Sequence, residues 1–178
     1  MSADPRPLTG EPLALDLLNT RWQRDRVTED LLTGTEGLVV WLAANGLEDR
    51  FDADAAVLRH TRQARDALAA VVDGPSEASA PPVDAVLAHG RIRVTFTAEG
   101  PGEVAEFDDP SWGPAWLAVR DYLRLLGTAP DRIRGCAHET CVLHFFDTSR
   151  NGTRRWCSMA SCGNRAKASR HYARSKEN

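Results

Sequence analysis

The chain has 178 residues, of which 42% are hydrophobic and 26% charged, and its net charge is -3. This composition is typical of a soluble, globular protein, and no segment approaches the roughly 18 unbroken apolar residues that a membrane span requires. The first twelve residues are polar and proline-rich, which argues against a signal peptide and favours the cytoplasm, where structural disulfides are rare.

The charge is unevenly distributed along the chain. Residues 132–178 contain ten Lys and Arg against three Asp and Glu, a balance of +7, and the remainder carries twelve against twenty-two, a balance of -10. All four cysteines also lie in the basic part. We therefore predict two domains, an acidic one (1–130) and a basic one (131–178). A basic segment of this kind indicates a polyanionic partner, although a solvated surface gives the same composition.

The acidic domain is predicted to be mainly helical. A short apolar helix is expected at residues 11–21, and a second one between Thr35, as N-cap, and Gly46. The clearest helix runs between Asp52, a candidate cap, and Gly74. Its inward residues recur at three- and four-residue steps, and they are Val57, Thr61, Ala64, Leu68 and Val71. A loop at residues 75–82 and a short helix follow.

The hydrophobic period then changes from that of a helix to that of a strand. Ile92, Val94 and Phe96 alternate with polar residues, which predicts a half-buried strand. Residues 99–102 are expected to form the turn of a hairpin, whose second strand follows. A last helix is predicted from Pro114 to Gly127, and its inward residues are Leu117, Tyr122 and Leu125 or Leu126.

The cysteines form two pairs of identical spacing, Cys136-x4-Cys141 and Cys157-x4-Cys162, separated by fifteen residues. A disulfide, a redox pair, a metal site and ordinary core residues are the alternatives. Two close pairs flanking a loop that can form a hairpin are typical of a tetrahedral zinc site, although a two-residue gap within each pair is commoner. Four buried cysteines without metal fit poorly, because the surrounding sequence is charged.

The segments around the cysteines predict a small zinc module. Residues 141–149 and 153–157 read as two strands joined by a turn at Asn151 and Gly152, and a helix is expected to begin near Ser158. Knuckle, hairpin and helix follow one another in treble-clef modules. The expected fold class is therefore α+β: a mainly helical N-terminal domain with a β-hairpin, plus a small treble-clef-like four-cysteine zinc finger, to which metal would contribute most of the folding free energy.

The sequence CAHETCVLHFFDTSRNGTRRWCSMASCGNRAK (136–167) closely resembles the zinc finger of the CGNR family. FFDTSRN, RRWCSM and CGNRAK occur in order, and the family takes its name from the tetrapeptide at residues 162–165. The N-terminal part, with GEPLALDLLNTR, resembles the ABATE-type domain that usually precedes this finger in bacterial proteins. The resemblance implies a stress-induced transcriptional regulator with one structural zinc ion, bound by Cys136, Cys141, Cys157 and Cys162.

Basic residues near the finger's C-terminus are candidate DNA contacts. Lys167, Arg170 and Arg174 step by three and four, so they share one helix face, which suits a phosphate backbone. We place Arg154 and Arg155 beside them. A solvated helix that balances the charge of the thiolates is the alternative. For Asn164 and Arg165, next to the last cysteine, we predict a local role in hydrogen-bonding the thiolates or the hairpin backbone.

Other polar and aromatic residues receive structural interpretations. His138 and His144 are candidate ligands, but four cysteines already fill a tetrahedral shell. Three aromatic residues are expected to form the finger's core rather than to stack on bases: Phe145, Phe146 and Trp156. Three polar residues of LALDLLNTR either line a pocket or, as we favour, cap and hydrogen-bond backbone within the fold: Asp16, Asn19 and Thr20.

Three functions compete for this sequence. The leading one is a DNA-binding regulator, in which the acidic domain masks the basic helix until a small-molecule effector or a second subunit frees it. The second is a protein-interaction or assembly module in which zinc only holds a scaffold. The third, an enzyme, is disfavoured because no catalytic constellation stands out and because four thiolates leave no open position on the metal.

Overall fold

A computed structural model of the chain describes residues 4–74 and 76–167. The helices are α1 (Leu13–Leu18), α2 (Thr35–Ala44), α3 (Ala55–Ala69), α4 (Ala80–Leu87) and α5 (Gly113–Thr128). The strands form antiparallel pairs: β1 (Arg21–Arg24) with β2 (Val27–Asp30), β3 (Gly90–Thr97) with β4 (Gly100–Phe107), and β5 (Ile133–Gly135) with β6 (His144–Phe146). The fold is α+β, as predicted. None of the described helices combines the length and the apolar character needed to cross a bilayer.

Helices α3 and α5 form the centre of the N-terminal part, and α1 packs against both. The predicted inward residues of α3 are all buried, which confirms the helical periodicity. Its N-cap, however, is Asp54 instead of Asp52: the Asp54 carboxylate accepts hydrogen bonds of 2.8 Å from the N–H groups of Ala56 and Val57. On α5, Tyr122 is buried and donates a hydrogen bond of 2.9 Å to the carbonyl of Val71. This hydrogen bond ties α5 to the turn that follows α3.

The boundaries of the remaining helices differ from the predictions by a few residues. Thr35 is the first residue of α2, with Gly34 in the cap position, and Gly46 ends the turn after it with a φ of +64°. Helix α4 begins at Ala80, inside the predicted loop, because its two prolines occupy the first turn, where their missing N–H groups are not needed. Helix α5 includes Gly127 and ends at Thr128.

A hairpin that the sequence did not predict joins α1 to α2. Its strands β1 and β2 have only four residues each, and Asp25 and Arg26 form the turn with φ angles of 50° and 67°. Two consecutive left-handed residues match a type I′ turn, for which Asn-Gly is the usual signal. The turn lacks glycine, so the sequence offered no such signal.

The predicted hairpin is present as β3 and β4, but two details were wrong. The turn is shorter than expected, because Thr97 already pairs with Gly100. The strand is also not half-buried along its length: Val94 is 75% and Phe96 86% exposed. The base of the hairpin packs on the rest of the N-terminal part, where the Phe107 ring meets the rings of Phe51 and Trp116 edge to face.

The pairing of strands in the finger also differs from the prediction. Strand β6 pairs with β5, whereas residues 153–157 form no strand. The turn at Asn151 and Gly152 exists, but side chains close it instead of a β-ladder. The Asp147 carboxylate accepts hydrogen bonds of 2.9 Å from the N–H groups of both Ser149 and Arg154. After Ser158, whose side chain makes no cap, the chain winds into a π-helical turn at Met159–Gly163.

Candidate metal centre

The four cysteine side chains converge on one point between β5 and the π-helical turn. Their sulfur atoms all lie within 4.8 Å of one another. The Sγ atoms of Cys141 and Cys157 are 3.8 Å apart, and those of Cys157 and Cys162 are 3.6 Å apart. Cys157 and Cys162 are buried, and Cys136 and Cys141 are half-buried. The predicted ligand set is thus gathered in space from two distant segments.

Backbone hydrogen bonds hold the first cysteine pair, Cys136 and Cys141, in position. After β5, the N–H of Cys136 donates to the carbonyl of Leu143 at 2.9 Å, and Cys141 N–H donates to the His138 carbonyl at 2.9 Å, which closes the first turn. The two segments are tied together where Ala137 N–H donates to the Arg155 carbonyl at 2.8 Å. These bonds fix the backbone that carries Cys136 and Cys141.

The arrangement of the sulfurs fits a tetrahedral zinc ion. A Zn–S distance of about 2.3 Å implies that neighbouring sulfurs of a regular tetrahedron lie about 3.8 Å apart. The measured separations of 3.6 and 3.8 Å match this edge. A disulfide needs about 2.05 Å, so none of the four is bonded to another. The donor set is therefore that of a closed four-thiolate site.

The close approach of the sulfurs couples their ionisation. The hydrogen bond between the sulfurs of Cys141 and Cys157 lowers the pKa of Cys141 to about 5. The same bond, together with burial and the charge on Cys141, strongly raises the pKa of Cys157. Burial raises the pKa of Cys162 to about 11. Without metal, one thiolate therefore suppresses the ionisation of its neighbours, and a divalent cation removes that conflict.

Arg154 stabilises the loop that carries the second pair. Its guanidinium donates to the carbonyls of Trp156 at 3.1 Å and of Cys157 at 2.6 Å, and it lies 4.2 Å from the centroid of the Phe145 ring. It also forms an ion pair with Glu11 of the N-terminal part, at 3.2 Å. These internal contacts occupy the group that was predicted to meet phosphate, so the structure gives Arg154 a structural role.

The other predicted cations are distributed differently. Arg155 and Lys167 are exposed, and the Arg155 guanidinium lies over the Trp156 ring at 5.2 Å. Arg170 and Arg174 lie outside the described residues. Arg165 is exposed, and the Asn164 amide donates to the Ala160 carbonyl at 3.3 Å, one turn back. That bond closes a helical turn and reaches neither a thiolate nor the hairpin backbone.

The histidines lie outside the cysteine cluster. His138 Nδ1 is 3.2 Å from the hydroxyl of Thr140. His144 Nε2 is 3.3 Å from a carboxylate oxygen of Asp73, in the N-terminal part. Phe145 is fully buried and belongs to the common hydrophobic core, with Phe146 and Trp156 packed against it. These aromatic residues are thus core residues, as predicted, but the core is shared with the N-terminal helices and is not a separate core of the finger.

The three polar residues of LALDLLNTR are buried connectors. Asp16 accepts hydrogen bonds from Arg6 at 2.6 Å and from Asn45 at 2.9 Å. The Thr20 hydroxyl accepts from Arg65 at 2.8 Å. Each of these bonds ties α1 or the two residues after it to another segment of the N-terminal part. The favoured interpretation, hydrogen bonding inside the fold, thus agrees with the structure.

Asn19 joins the N-terminal part to the finger. Its side-chain amide donates to the carbonyl of His144 and accepts from the N–H of the same residue, both at 2.9 Å. One amide thereby pairs with the outer edge of β6 as a neighbouring strand would. Glu11 accepts a hydrogen bond of 2.8 Å from the N–H of Phe146. The hydrogen bonds of Asn19 and Glu11 with β6 form a seam between the two parts. Sequence reasoning missed this seam, since its partners lie over a hundred residues apart.

A helical domain followed by a compact four-cysteine unit defines a zinc-finger protein. Residues 11–129 match the ABATE family, described as "putative stress-induced transcription regulator", and residues 132–175 match the CGNR zinc finger. Because the first match spans about two thirds of the chain, the protein belongs to the ABATE family. Both resemblances read from the sequence, and their order, are confirmed. A search of curated proteins finds no match.

Proposed function

We propose that this protein is a DNA-binding transcription regulator in which the finger contacts the DNA backbone. The observation that carries the proposal is a set of exposed cations on the finger, in a chain whose other part is acidic. Among the described residues of the finger, four cations have exposed side chains and form no ion pair: Arg150, Arg155, Arg165 and Lys167. Cations of this kind attract phosphate because binding releases counterions from DNA. The family's description as a transcription regulator supports the same conclusion.

A groove beside the cysteine cluster supports a nucleic-acid partner. It has a volume of about 570 Å³ and is bordered by the hydroxyl-bearing residues Ser149, Thr153 and Ser158. Arg155 and the Trp156 ring border it as well. Hydroxyl and guanidinium groups are common donors to phosphate oxygens and fix the register of a protein on DNA.

The proposal includes one structural zinc ion, held by Cys136, Cys141, Cys157 and Cys162. When bound, the ion keeps the four thiols as thiolates and ties the segment after β5 to the π-helical turn. The backbone hydrogen bonds of the cluster then only need to orient the ligands. A closed shell of four sulfurs leaves no position for substrate, so we propose no catalytic role for the site.

The test is the salt dependence of DNA binding by the full, zinc-loaded chain. We expect affinity for random DNA to fall steeply with salt, because each neutralised phosphate contributes about 0.9 to the slope of log K against log salt. Replacing Arg155 and Lys167 by Gln should flatten that slope by up to about two units. Adding the same change at Arg170 and Arg174 tests the part of the helix that lies beyond the described residues.

A matched control distinguishes the cations of the finger from exposed cations elsewhere in the chain. Arg24→Gln with Arg26→Gln removes two exposed cations from the β1–β2 hairpin and should leave the slope unchanged. Zinc content should stay at one ion per chain in every variant, because none of these residues is a ligand. If the full chain binds no DNA even at low salt, the regulator proposal is wrong, and the zinc-stabilised interaction module becomes the better account.

A further inference from the structure

The β3–β4 hairpin is an arm that projects from the helices. Its contacts with the rest of the described chain lie at its base and at Glu103, which forms an ion pair of 2.8 Å with Arg120 on α5. Ile92, Val94 and Phe96 share one face, because side chains alternate along a strand. Glu103 pairs with Val94 and so lies on that face too, which is therefore turned toward α5. Toward the tip the face is open: Val94 is 75% and Phe96 86% exposed.

An arm of this kind is poorly stable by itself. A two-stranded hairpin is marginally stable in water, and a third strand or a covering element is normally required. Exposed β-branched and aromatic residues on such a hairpin also promote pairing with another chain. The apolar face and the open strand edge thus both favour an additional strand.

The two edges of the arm differ in their capacity to accept a strand. The β4 edge contains Pro101, which has no N–H to donate, and the acidic residues Glu103 and Glu106. The β3 edge contains neither proline nor acid from Arg91 to Thr97. Within the described residues its sheet has only the two strands, so no described strand pairs with this edge.

We propose that β3 pairs antiparallel with β3 of a second copy of this chain, about a two-fold axis at Val94. Val94 is the middle residue of the segment 91–97, so in this register every residue of the segment lies opposite a residue of the same segment in the second copy. It places Val94 opposite Val94, and Ile92 of each copy opposite Phe96 of the other. Such an interface is isologous, since the same surface serves both subunits.

The charges of β3 suit this register. Arg93 of one copy lies opposite Thr95 of the other, and Arg91 lies opposite Thr97, so no like charges are directly opposed. The two Arg93 side chains are diagonal neighbours, but each already forms an ion pair with Glu106 of its own arm. A register centred on Arg93 would oppose two guanidinium groups, which destabilises a pair of strands. The Val94 register also carries each exposed Phe96 to the base of the other arm, on the side of α5. There the second copy covers the Phe96 ring, which is exposed in a single chain.

The test is the mass of the full, zinc-loaded chain by analytical ultracentrifugation over a dilution series. We expect a two-chain mass that dissociates on dilution, and Phe96→Glu should shift it to a one-chain mass by placing a carboxylate in the apolar contact. The control is Val27→Glu, which changes another exposed valine on the β1–β2 hairpin and should leave the dimer intact. A wild-type chain that is monomeric throughout overturns the proposal, as does a dimer unaffected by Phe96→Glu.

A cross-link tests the register itself. Opposed residues of antiparallel strands have Cα atoms about 4.5–5.5 Å apart, within the range of a disulfide. Val94→Cys should therefore yield a covalent dimer under mild oxidation, whereas Thr97→Cys, which lies opposite Arg91, should not. The unmodified chain with its four native cysteines is the background control. A dimer in which Val94→Cys does not cross-link would refute the two-fold pairing. This inference does not depend on the proposed binding of DNA.

Discussion

The helical body and the finger of this protein are stabilised in opposite ways. The body buries large side chains from several helices, among them Trp41, Leu68 and Tyr122, so its stability is spread over a wide apolar area. The finger contributes few buried apolar residues to the core, chiefly Leu143 and Phe145, and its loops are closed by single polar side chains and by the cysteine cluster. We infer that damage to the body should be graded, whereas damage to the finger should be all-or-none.

The largest effect is expected from removing the metal. Structural zinc contributes about 10–16 kcal/mol of binding free energy in small finger peptides, which far exceeds the stability of a few loop contacts. A strong chelator, or Cys157→Ser, should therefore abolish zinc content and hydrogen-exchange protection in residues 133–163. Amides of α3 and α5 should remain protected. If a chelator unfolds the body and the finger in one transition, the inference that they are stabilised in different ways is wrong.

The next largest effect belongs to the core of the body. Leu68 is fully buried, and a Leu→Ala change at such a site costs about 2–5 kcal/mol through lost burial and the cavity that remains. Leu68→Ala should lower the free energy of unfolding measured in urea by that amount, while the zinc content of the folded protein stays unchanged. Leu123→Ala on α5 is the matched control, because Leu123 is 42% exposed and should cost little.

Arg154 should show how much the finger depends on one polar side chain. Hydrogen bonds to charged groups contribute about 1.5–3 kcal/mol each, and Arg154→Ala removes its bonds to two carbonyls of the loop that carries Cys157. We expect faster loss of zinc to a competing chelator. Arg155→Ala, an adjacent exposed cation, should leave the rate unchanged. Equal rates for the two variants would mean that Arg154 contributes nothing specific.

A smaller effect is expected at the seam between the two parts. Asn19→Ala removes two neutral hydrogen bonds to β6, each of which contributes about 0.5–1.5 kcal/mol. Zinc should still bind, but exchange protection at β6 should fall and the two parts should melt further apart in temperature. Unchanged protection at His144 would show that the amide does not couple them.

The smallest effect is the pH dependence that Asp30 contributes to the stability of the body. Burial would raise the pKa of Asp30, but hydrogen bonds from the Arg65 guanidinium outweigh it and hold that pKa below its ordinary value. Because the folded pKa is depressed, the stabilisation is present above about pH 4 and is lost as the pH falls through the folded pKa. Urea titrations between pH 5 and 2 should show this loss, and Asp30→Asn should reduce it, leaving the part due to other carboxylates with a lowered pKa, among them Asp4 and Asp147. An unaltered slope in that variant would assign the acid sensitivity to other carboxylates.

Local sequence patterns were sufficient for the main elements and for the metal cluster. The periodicity of α3, the alternation of β3 and the paired spacing of the cysteines each follow from rules that act within about twenty residues. The family resemblance added the order of the two domains. Contacts between distant segments were beyond these rules: nothing near Asn19 indicates that its amide pairs with His144, and nothing near β5 indicates that it pairs with β6.

Two local errors have different physical causes. The β1–β2 turn was missed because Asp25 and Arg26 adopt left-handed conformations without a glycine, which tertiary packing of Trp22 compensates. The burial of Val94 and Phe96 was overestimated because alternation shows which residues share a face and says nothing about what covers that face. Both errors arise because contacts with residues distant in sequence, which a short stretch of sequence does not contain, decide the turn conformation and the burial.

The Asn19 seam also has a consequence for the order of events during biosynthesis. The two residues that it joins are separated by 125 positions. Ribosomes add about 5–20 residues per second, so Asn19 is synthesised about 6–25 s before its partner on β6. Once α1 has left the ribosome, the end of the helix next to Asn19 is exposed to chaperones until that partner follows. The N-terminal helix, although made first, is therefore among the last elements to reach its final contacts, and translation speed sets how long it waits.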